Sequence, residues 1–491
     1  MDFLDPQKRR AHAIRLMVGY CLLAIALFLA STLLLFVAFG YGINRSTGEV
    51  TQNGLLFVDA HPEQAEIFIN GKDKGSTDGR FVLEAGQYSL ELRREGYRTW
   101  KRDFTLEGGN IVRMVYPFMF PTTLSQRDLL PYTAAPDMVS SSPDRRWIMS
   151  HTPDALGSIQ LTDTANDTLP TTALTLPAGL FANRTGAQRF EAVEWSTNNR
   201  HLLIKYSFDG GYDYILIDRE NPGSSISVGQ TFGRAFTKVT LRGKAFDQLY
   251  LYDAAGGVLQ SAKTSDGTTV AVAADVINFW PYKENIVLYT TNTAAAADKT
   301  LVKIKDGVNT YGIKELARTD KALLNMAEFD GDEFVVVGSP TDGKVYVFKN
   351  ALAALKKDTI KTVLHSLVMR LDNPEYVSFS ANARFLAIQA GSKFDVYDFE
   401  TKQQYKYDTG LTLPANHEAE WMDGHRLMLV ADGKMQVFDY DGMNKHELVA
   451  NNEGFVPMFD RDYNQMFTVS PTLADKAKTG LLRTDLSLGT E

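Results

Sequence analysis

Cysteine is nearly absent from this chain of 491 residues: Cys21 is the only one. No disulfide framework can form, and no cysteine metal site can be assembled. An excess of positive charge is also missing. The formal net charge is −8 and no basic stripe interrupts the balance, which argues against a nucleic-acid partner. There is no G-x-S-x-G nucleophile elbow and no phosphate-cradling glycine loop; Gly210-Gly211 and Gly256-Gly257 read as turns. Helical periodicity is scarce, and Ala351 to Lys357 is the one convincing short stretch. Long apolar runs are absent as well, with a single exception at the start.

That exception is Leu16 to Ile43, uncharged throughout. At roughly 28 residues it can span a bilayer with some tilt. Lys8, Arg9, Arg10 and Arg15 precede it, whereas only Arg45 follows before Glu49. Positive charge stays on the cytoplasmic side, so the N-terminus is expected inside and the remaining mass outside. Two alternatives, a cleaved signal peptide and a lipid anchor, fit the run less well. Ala38-Phe39-Gly40 offers a small-x-small cleavage pattern, but a signal peptide has an apolar core of only about 7–15 residues. Cys21 could carry a lipid only if it closed the run behind small residues; Tyr20 precedes it and most of the run follows it. A retained anchor is the expectation.

Thr47 to Asn53 is a short polar linker, after which short strands begin. Leu55 to Val58 is apolar; Glu66-Ile67-Phe68-Ile69 runs into Asn70-Gly71, a strong two-residue hairpin signal. Tyr88, Leu90 and Leu92 alternate with Ser89, Glu91 and Arg93, placing the apolar set on one face. Ile111 to Tyr116 adds a strand stopped by Pro117 and Pro121. The pattern predicts a small antiparallel β-sandwich. Its opening, Pro62-Glu63-Gln64-Ala65 before the hairpin, resembles the PEGA domain, departing from the motif of that name at Gln64. Gly71 to Thr77, Leu83 to Tyr88 and Arg94 to Tyr97 match the same family in kind. The resemblance covers residues 54–120 and implies a spacer or adhesive module of envelope proteins, without catalytic residues.

Residues 121–491 repeat a unit of apolar strand, polar turn, second apolar strand, Gly/Asp turn and third strand. Val193-Glu194-Trp195-Ser196-Thr197-Asn198-Asn199-Arg200-His201-Leu202, Val377-Ser378-Phe379-Ser380-Ala381-Asn382-Ala383-Arg384-Phe385-Leu386 and Ala419-Glu420-Trp421-Met422-Asp423-Gly424-His425-Arg426-Leu427 carry it most clearly. Ser142-Pro143-Asp144-Arg145-Arg146 resembles the corresponding turn of TolB-like and WD-type propeller repeats. Unit starts fall near Met138, Val193, Val239, Ile277, Met326, Val377, Ala419 and Val456. The spacing wanders around 45 residues, the period of a four-stranded blade. A seven- or eight-bladed β-propeller follows. The last unit lacks a fourth strand, and Arg127 to Thr133 is the segment expected to supply it and close the ring.

Candidate chemistry is sparse. The eight histidines, at 12, 61, 151, 201, 365, 417, 425 and 446, are scattered and read as structural. Asp460 to Asn464 begins like a calcium loop but has Gln465 and Leu473 where Gly and Glu are needed, so it reads as a blade turn, as does Asp330 to Glu333. Trp147, Trp195, Trp280 and Trp421 read as blade core. No catalytic, metal or cofactor-binding residue is assigned, and no cofactor is expected. The sequence thus predicts a cytoplasmic segment over 1–15, a transmembrane helix over 16–43, a linker over 44–53, a PEGA-like β-sandwich over 54–120 and a propeller over 121–491. This is an all-β ectodomain behind one plasma-membrane anchor. Binding or scaffolding of an envelope protein, peptide or glycan is the expected role; a propeller-based hydrolase or lyase and a plain spacer are the alternatives.

Overall fold

A computed structural model describes residues 6–38, 40–43, 50–166, 168–181, 185–357, 362–414 and 417–488. Most of the linker, residues 44–49, lies outside the described residues. The chain divides into two compact units, Met1–Thr123 and Leu124–Glu491.

The first unit opens with helix α1, Pro6–Ala38. At 33 residues it is about 50 Å long, more than a bilayer's hydrocarbon core. Its described side chains from Arg9 to Leu35 are all exposed, Leu22, Phe28 and Leu34 by 60 to 70 %. A helix apolar all round, with no protein against it, has the character of a membrane span or a signal sequence. It stops at Ala38 rather than at Ile43. Gly40 adopts φ +76°, which ends the helical path, and Tyr41–Ile43 form a strand, β1, instead.

Seven further strands complete the unit: β2 (Val50–Val58), β3 (Glu66–Ile69), β4 (Lys72–Ser76), β5 (Gly79–Glu84), β6 (Gly86–Arg93), β7 (Trp100–Leu106) and β8 (Ile111–Met114). They make two sheets, β4-β3-β6-β7 and a second in which β2 pairs with β1, β5 and β8. Asn70 and Gly71, at φ 50° and 73°, make the predicted two-residue turn between Ile69 and Lys72. Leu56, Val58, Ile67, Leu90, Leu92, Trp100 and Leu106 are buried between the sheets. The sandwich departs from the antiparallel expectation at one place: β8 runs parallel to β2. The chain leaves β7 in one sheet and crosses to the other, so β8 enters beside β2 in the same direction.

The second unit opens with β9 (Ser125–Pro131) and then forms four-stranded sheets, eight among the described residues. Numbered in chain order, these blades begin with first strands Met138–Ser141, Arg189–Trp195, Lys238–Leu241, Asn278–Tyr282, Leu323–Phe329, Tyr376–Phe379, Glu420–Trp421 and Met458–Phe459. Each start expected from the repeat corresponds to one of them, and the count is eight rather than seven. Within a blade the strands pair in sequence order, antiparallel. First strands of neighbouring blades touch one another, so they are innermost and line the axis. Blade faces stack through apolar clusters. Phe190, Trp195, Leu202, Ile204 and Tyr206 of blade 2 pack against Met138, Met149 and Ile159 of blade 1. No blade could bury both faces alone.

The eighth sheet has the order expected of a closed ring: its three C-terminal strands are followed by β9. Ser125 to Pro131 run antiparallel to Gly480 to Asp485. Arg127 reaches Asp485 at 2.9 Å, and the Asp128 carboxylate accepts from the Leu473 and Ala474 amides at 2.7 and 3.0 Å. Tyr132 packs with Ile148, Phe467 and Leu481. Besides Ala351–Leu355, a second helix stands at Val228–Phe232, which the sequence reading missed. Ser227 caps it by accepting from the Gln230 amide and Gly233 ends it at φ 68°. Five residues are too few for a periodicity to show.

Candidate functional site: the propeller axis

The turn between first and second strands recurs with a fixed chemistry. In blades 1, 2 and 6 a serine hydroxyl donates to an Asp or Asn two residues on, at Ser142–Asp144, Ser196–Asn198 and Ser380–Asn382. The next residue is left-handed: Arg145, Asn199 and Ala383 have φ of 59°, 57° and 57°. The arginine after it then grips the aspartate ending the third strand with two hydrogen bonds. These are Arg146 to Asp163 (3.1 and 3.0 Å), Arg200 to Asp218 (2.7 and 2.5 Å) and Arg384 to Asp398 (3.0 and 2.7 Å). Blade 7 has a turn one residue shorter. There Arg426 turns to Asp423 at 2.8 and 2.5 Å and stays 4.0 Å from Asp439. In blades 1, 2 and 6 the motif that identified the repeat is therefore a clamp holding the strand ends together.

A second recurrence ties blades to one another. Trp195 donates its indole N–H to the Ser140 hydroxyl of blade 1 at 2.9 Å, and Trp421 donates to Ser378 of blade 6 at 3.0 Å. Trp195 is buried and Trp421 half-buried, in keeping with the reading as packing residues. Trp280 differs. It is 39 % exposed, because it lies on the solvent side of an inner strand.

The first strands of blades 1, 2, 7 and 8 enclose a cavity of about 770 Å³ on the axis. Its wall carries Glu191, Glu194 and Glu420 with Val193, Val456 and Phe455. Val193 is the extra residue of a β-bulge, opposite no partner on the second strand, and projects into the space. Glu194 is fully engaged: it accepts from the Leu241 amide and pairs with Lys244. Arg145 donates to the Met422 carbonyl at 3.2 Å and lies 4.0 Å over the Tyr463 ring. Tyr463 donates to the same carbonyl at 2.8 Å. Turns from blades 1, 7 and 8 thus meet in one knot. The hydroxyls of Ser140, Ser141 and Ser142 are all occupied.

Glu191, Glu418 and Glu420 differ from these: none of their side chains makes a hydrogen bond or ion pair among the described residues. Partial burial raises the Glu420 carboxyl above the usual range. Glu418, two residues earlier, is pushed up to about 7 by burial and then by the charge of Glu420. Both residues are still exposed to water, which screens part of the cost.

His151, His417 and His425 are built into the blades. His151 receives Asp137 at 2.6 Å, stacks on Phe190 and has no exposed side-chain surface, so it cannot meet a substrate. His417 accepts from the Val430 amide at 3.3 Å. Burial, then Arg426, pushes His425 down to about 4. The Asp460 carboxylate accepts from the Gln465 amide and Tyr463 takes the left-handed turn position, so this segment is the blade 8 turn. Asp330 and Gly331 form a turn at positive φ, and Asp332 pairs with Lys349 at 2.6 Å. Among the described residues no group of three or more His, Cys, Asp or Glu is placed to hold a metal ion. The axial carboxylates were not singled out from sequence, although a signal existed. Glu194 and Glu420 occupy the same place, just before the tryptophan, in two aligned repeats.

The molecule is an apolar helix followed by a β-sandwich and a β-propeller. Residues 53–119 match the family described as the PEGA domain, one residue from the bounds of the sequence resemblance. No curated protein matches the sequence. Among solved structures, the Dos1 propeller aligns at 13 % identity over 75 % of this chain and 96 % of its own, with a TM-score of 0.44. Dihydro-heme d1 dehydrogenase NirN in complex with DHE aligns at 15 % identity over 65 % of this chain and 68 % of its own, TM-score 0.43. Kluyveromyces lactis Hsv2p aligns at 10 % over 65 % and 100 %, TM-score 0.42. These are likenesses of fold; the propeller assignment stands on the eight blades themselves.

Proposed function

We propose that this chain is a membrane-anchored, extracytoplasmic binding protein of the cell envelope whose propeller holds a cation-bearing segment of another envelope protein or peptide. One observation carries the reading. Two carboxylates at the axis, Glu191 and Glu420, stand without partners, while Glu194 and Arg145 beside them are tied into the ring. Keeping ionised carboxylates in a confined channel costs free energy, and a lysine or arginine entering it would recover that cost. Exposed Val193 and Val456 give the same segment apolar contact. The choice of a binder over an enzyme is supported by the occupied serine hydroxyls and the buried His151.

Anchoring rests on α1, and the orientation rests on Arg9, Arg10 and Arg15 in its N-terminal turns. A photo-crosslinking residue at Val456 in intact cells tests the binding reading. A discrete adduct is expected, lost when Glu191 and Glu420 are both changed to Lys; an adduct pattern indifferent to that charge reversal refutes it. Protease added to whole cells should digest the propeller. Protection in cells with digestion in lysate would place it on the cytoplasmic side.

A further inference from the structure

The outward face of the sheet built on β2 is unusually apolar for a surface. Leu55 of β2 stands directly opposite Val82 of β5 on one side and Ile111 of β8 on the other. Val82 is 69 % and Ile111 56 % exposed. The next row along the same face is Arg80, Phe57 and Arg113, again in direct register. Both guanidinium groups lie over the Phe57 ring, at 5.3 and 5.5 Å from its centre. Neither makes an ion pair among the described residues. Same-face rows of a strand are about 7 Å apart. The face therefore presents an apolar band and, one row on, a pair of cations; Glu84 lies one row to the other side, opposite Asn53.

This face adjoins the end of α1. The Asn53 amide donates to the Gly40 carbonyl at 2.7 Å, and β1 pairs with β2 immediately after the helix. A hollow of about 640 Å³ is lined by Ala38, Gly40 and Tyr41 together with Leu55, Val82 and Ile111. The last turn of a spanning helix sits at the lipid headgroups, so these side chains are carried to the same depth.

We infer that the PEGA domain lies with this face on the bilayer, Val82, Leu55 and Ile111 entering the headgroup–acyl boundary and Arg80 and Arg113 engaging lipid phosphates. The inference rests on the anchor reading above. Side chains of this kind partition into the interface in this order, apolar groups deeper and arginine at the phosphate level. The spacer role expected of such a module becomes a footing: the domain would lie on the membrane rather than swing on its linker.

The test uses the full chain with Cys21→Ala, reconstituted into phosphatidylcholine–phosphatidylglycerol vesicles. Single cysteines replace Val82, Ile111 or, on the outward face of the other sheet, Asp103, and carry an environment-sensitive fluorophore. Headgroup spin-labelled lipid should quench positions 82 and 111 at least threefold more than position 103, and Arg80→Glu with Arg113→Glu should abolish the difference. Equal quenching at all three positions in protein that floats with the vesicles overturns the docking and leaves the anchor intact. Protein that does not float with vesicles refutes the anchor and the docking with it.

Discussion

Replacing Ser125–Pro131 by an equal length of alternating glycine and serine would keep the chain continuous while removing the strand that closes the ring. The lost ladder with Gly480–Asp485 and the regained freedom of the segment are of similar size and largely cancel. What remains is side-chain specific. Leu129 and Leu130 lose contact with the cluster of Tyr132, Phe467 and Leu481, about 1.5 kcal/mol each for half-buried leucines. Asp128 loses two bonds to backbone amides, about 2 kcal/mol for a charged acceptor at a partly wet site. The net loss is about 5 kcal/mol. In a domain this large about 1 kcal/mol moves the melting temperature by about 1–1.5 °C, so a fall of about 5–8 °C is expected in calorimetry. Hydrogen exchange supplies the discriminating readout. Amides of residues 480–485 should exchange fast, and blades 1 and 8 should lose protection ahead of blades 4 and 5. A melting temperature within about 1 °C of the parent, with protected amides at 480–485, would refute closure by this segment.

Three further outcomes are expected. Asp398→Ala leaves Arg384 without its buried acceptor and unties the Glu400 and Thr401 amides; it should cost about 3–5 kcal/mol in urea denaturation, whereas Lys283→Ala, breaking an exposed pair with Glu328, should cost under about 1 kcal/mol. Ala383→Gly relieves a left-handed backbone at φ 57° and should raise stability by about 0.5–1 kcal/mol, read as a higher denaturation midpoint. Glu418 holds its proton up to about pH 7 in the folded chain against an ordinary 4.5. The folded state therefore binds more protons than the unfolded one across that window, and stability falls as pH rises through it. Glu418→Gln should match the parent at pH 4 and exceed it by about 1 kcal/mol at pH 8, the figure reduced for the exposure of this side chain to water; equal midpoints at both pH values would count against the raised value.

Much of this molecule was settled locally. The apolar run, the Asn70-Gly71 hairpin and the Ser-x-Asp/Asn-x-Arg turns specify their geometry within a few residues, because turn chemistry and strand alternation act at short range. Their recurrence gave the repeat, and a repeat that cannot bury its own faces implied a ring and a strand to close it. The parallel entry of β8, the end of α1 at Ala38 and the exposure of Trp280 required the tertiary structure, since each depends on where a neighbour stands. So did the axial site. Glu191 differs in no local pattern from a surface charge, Glu420 shares its place before a tryptophan with the paired Glu194, and only closing the ring brings blades 1, 2, 7 and 8 around one cavity. Short-range chemistry determined the parts; the burial that only a closed ring provides decided which of their charges are spent on the fold and which face the channel free.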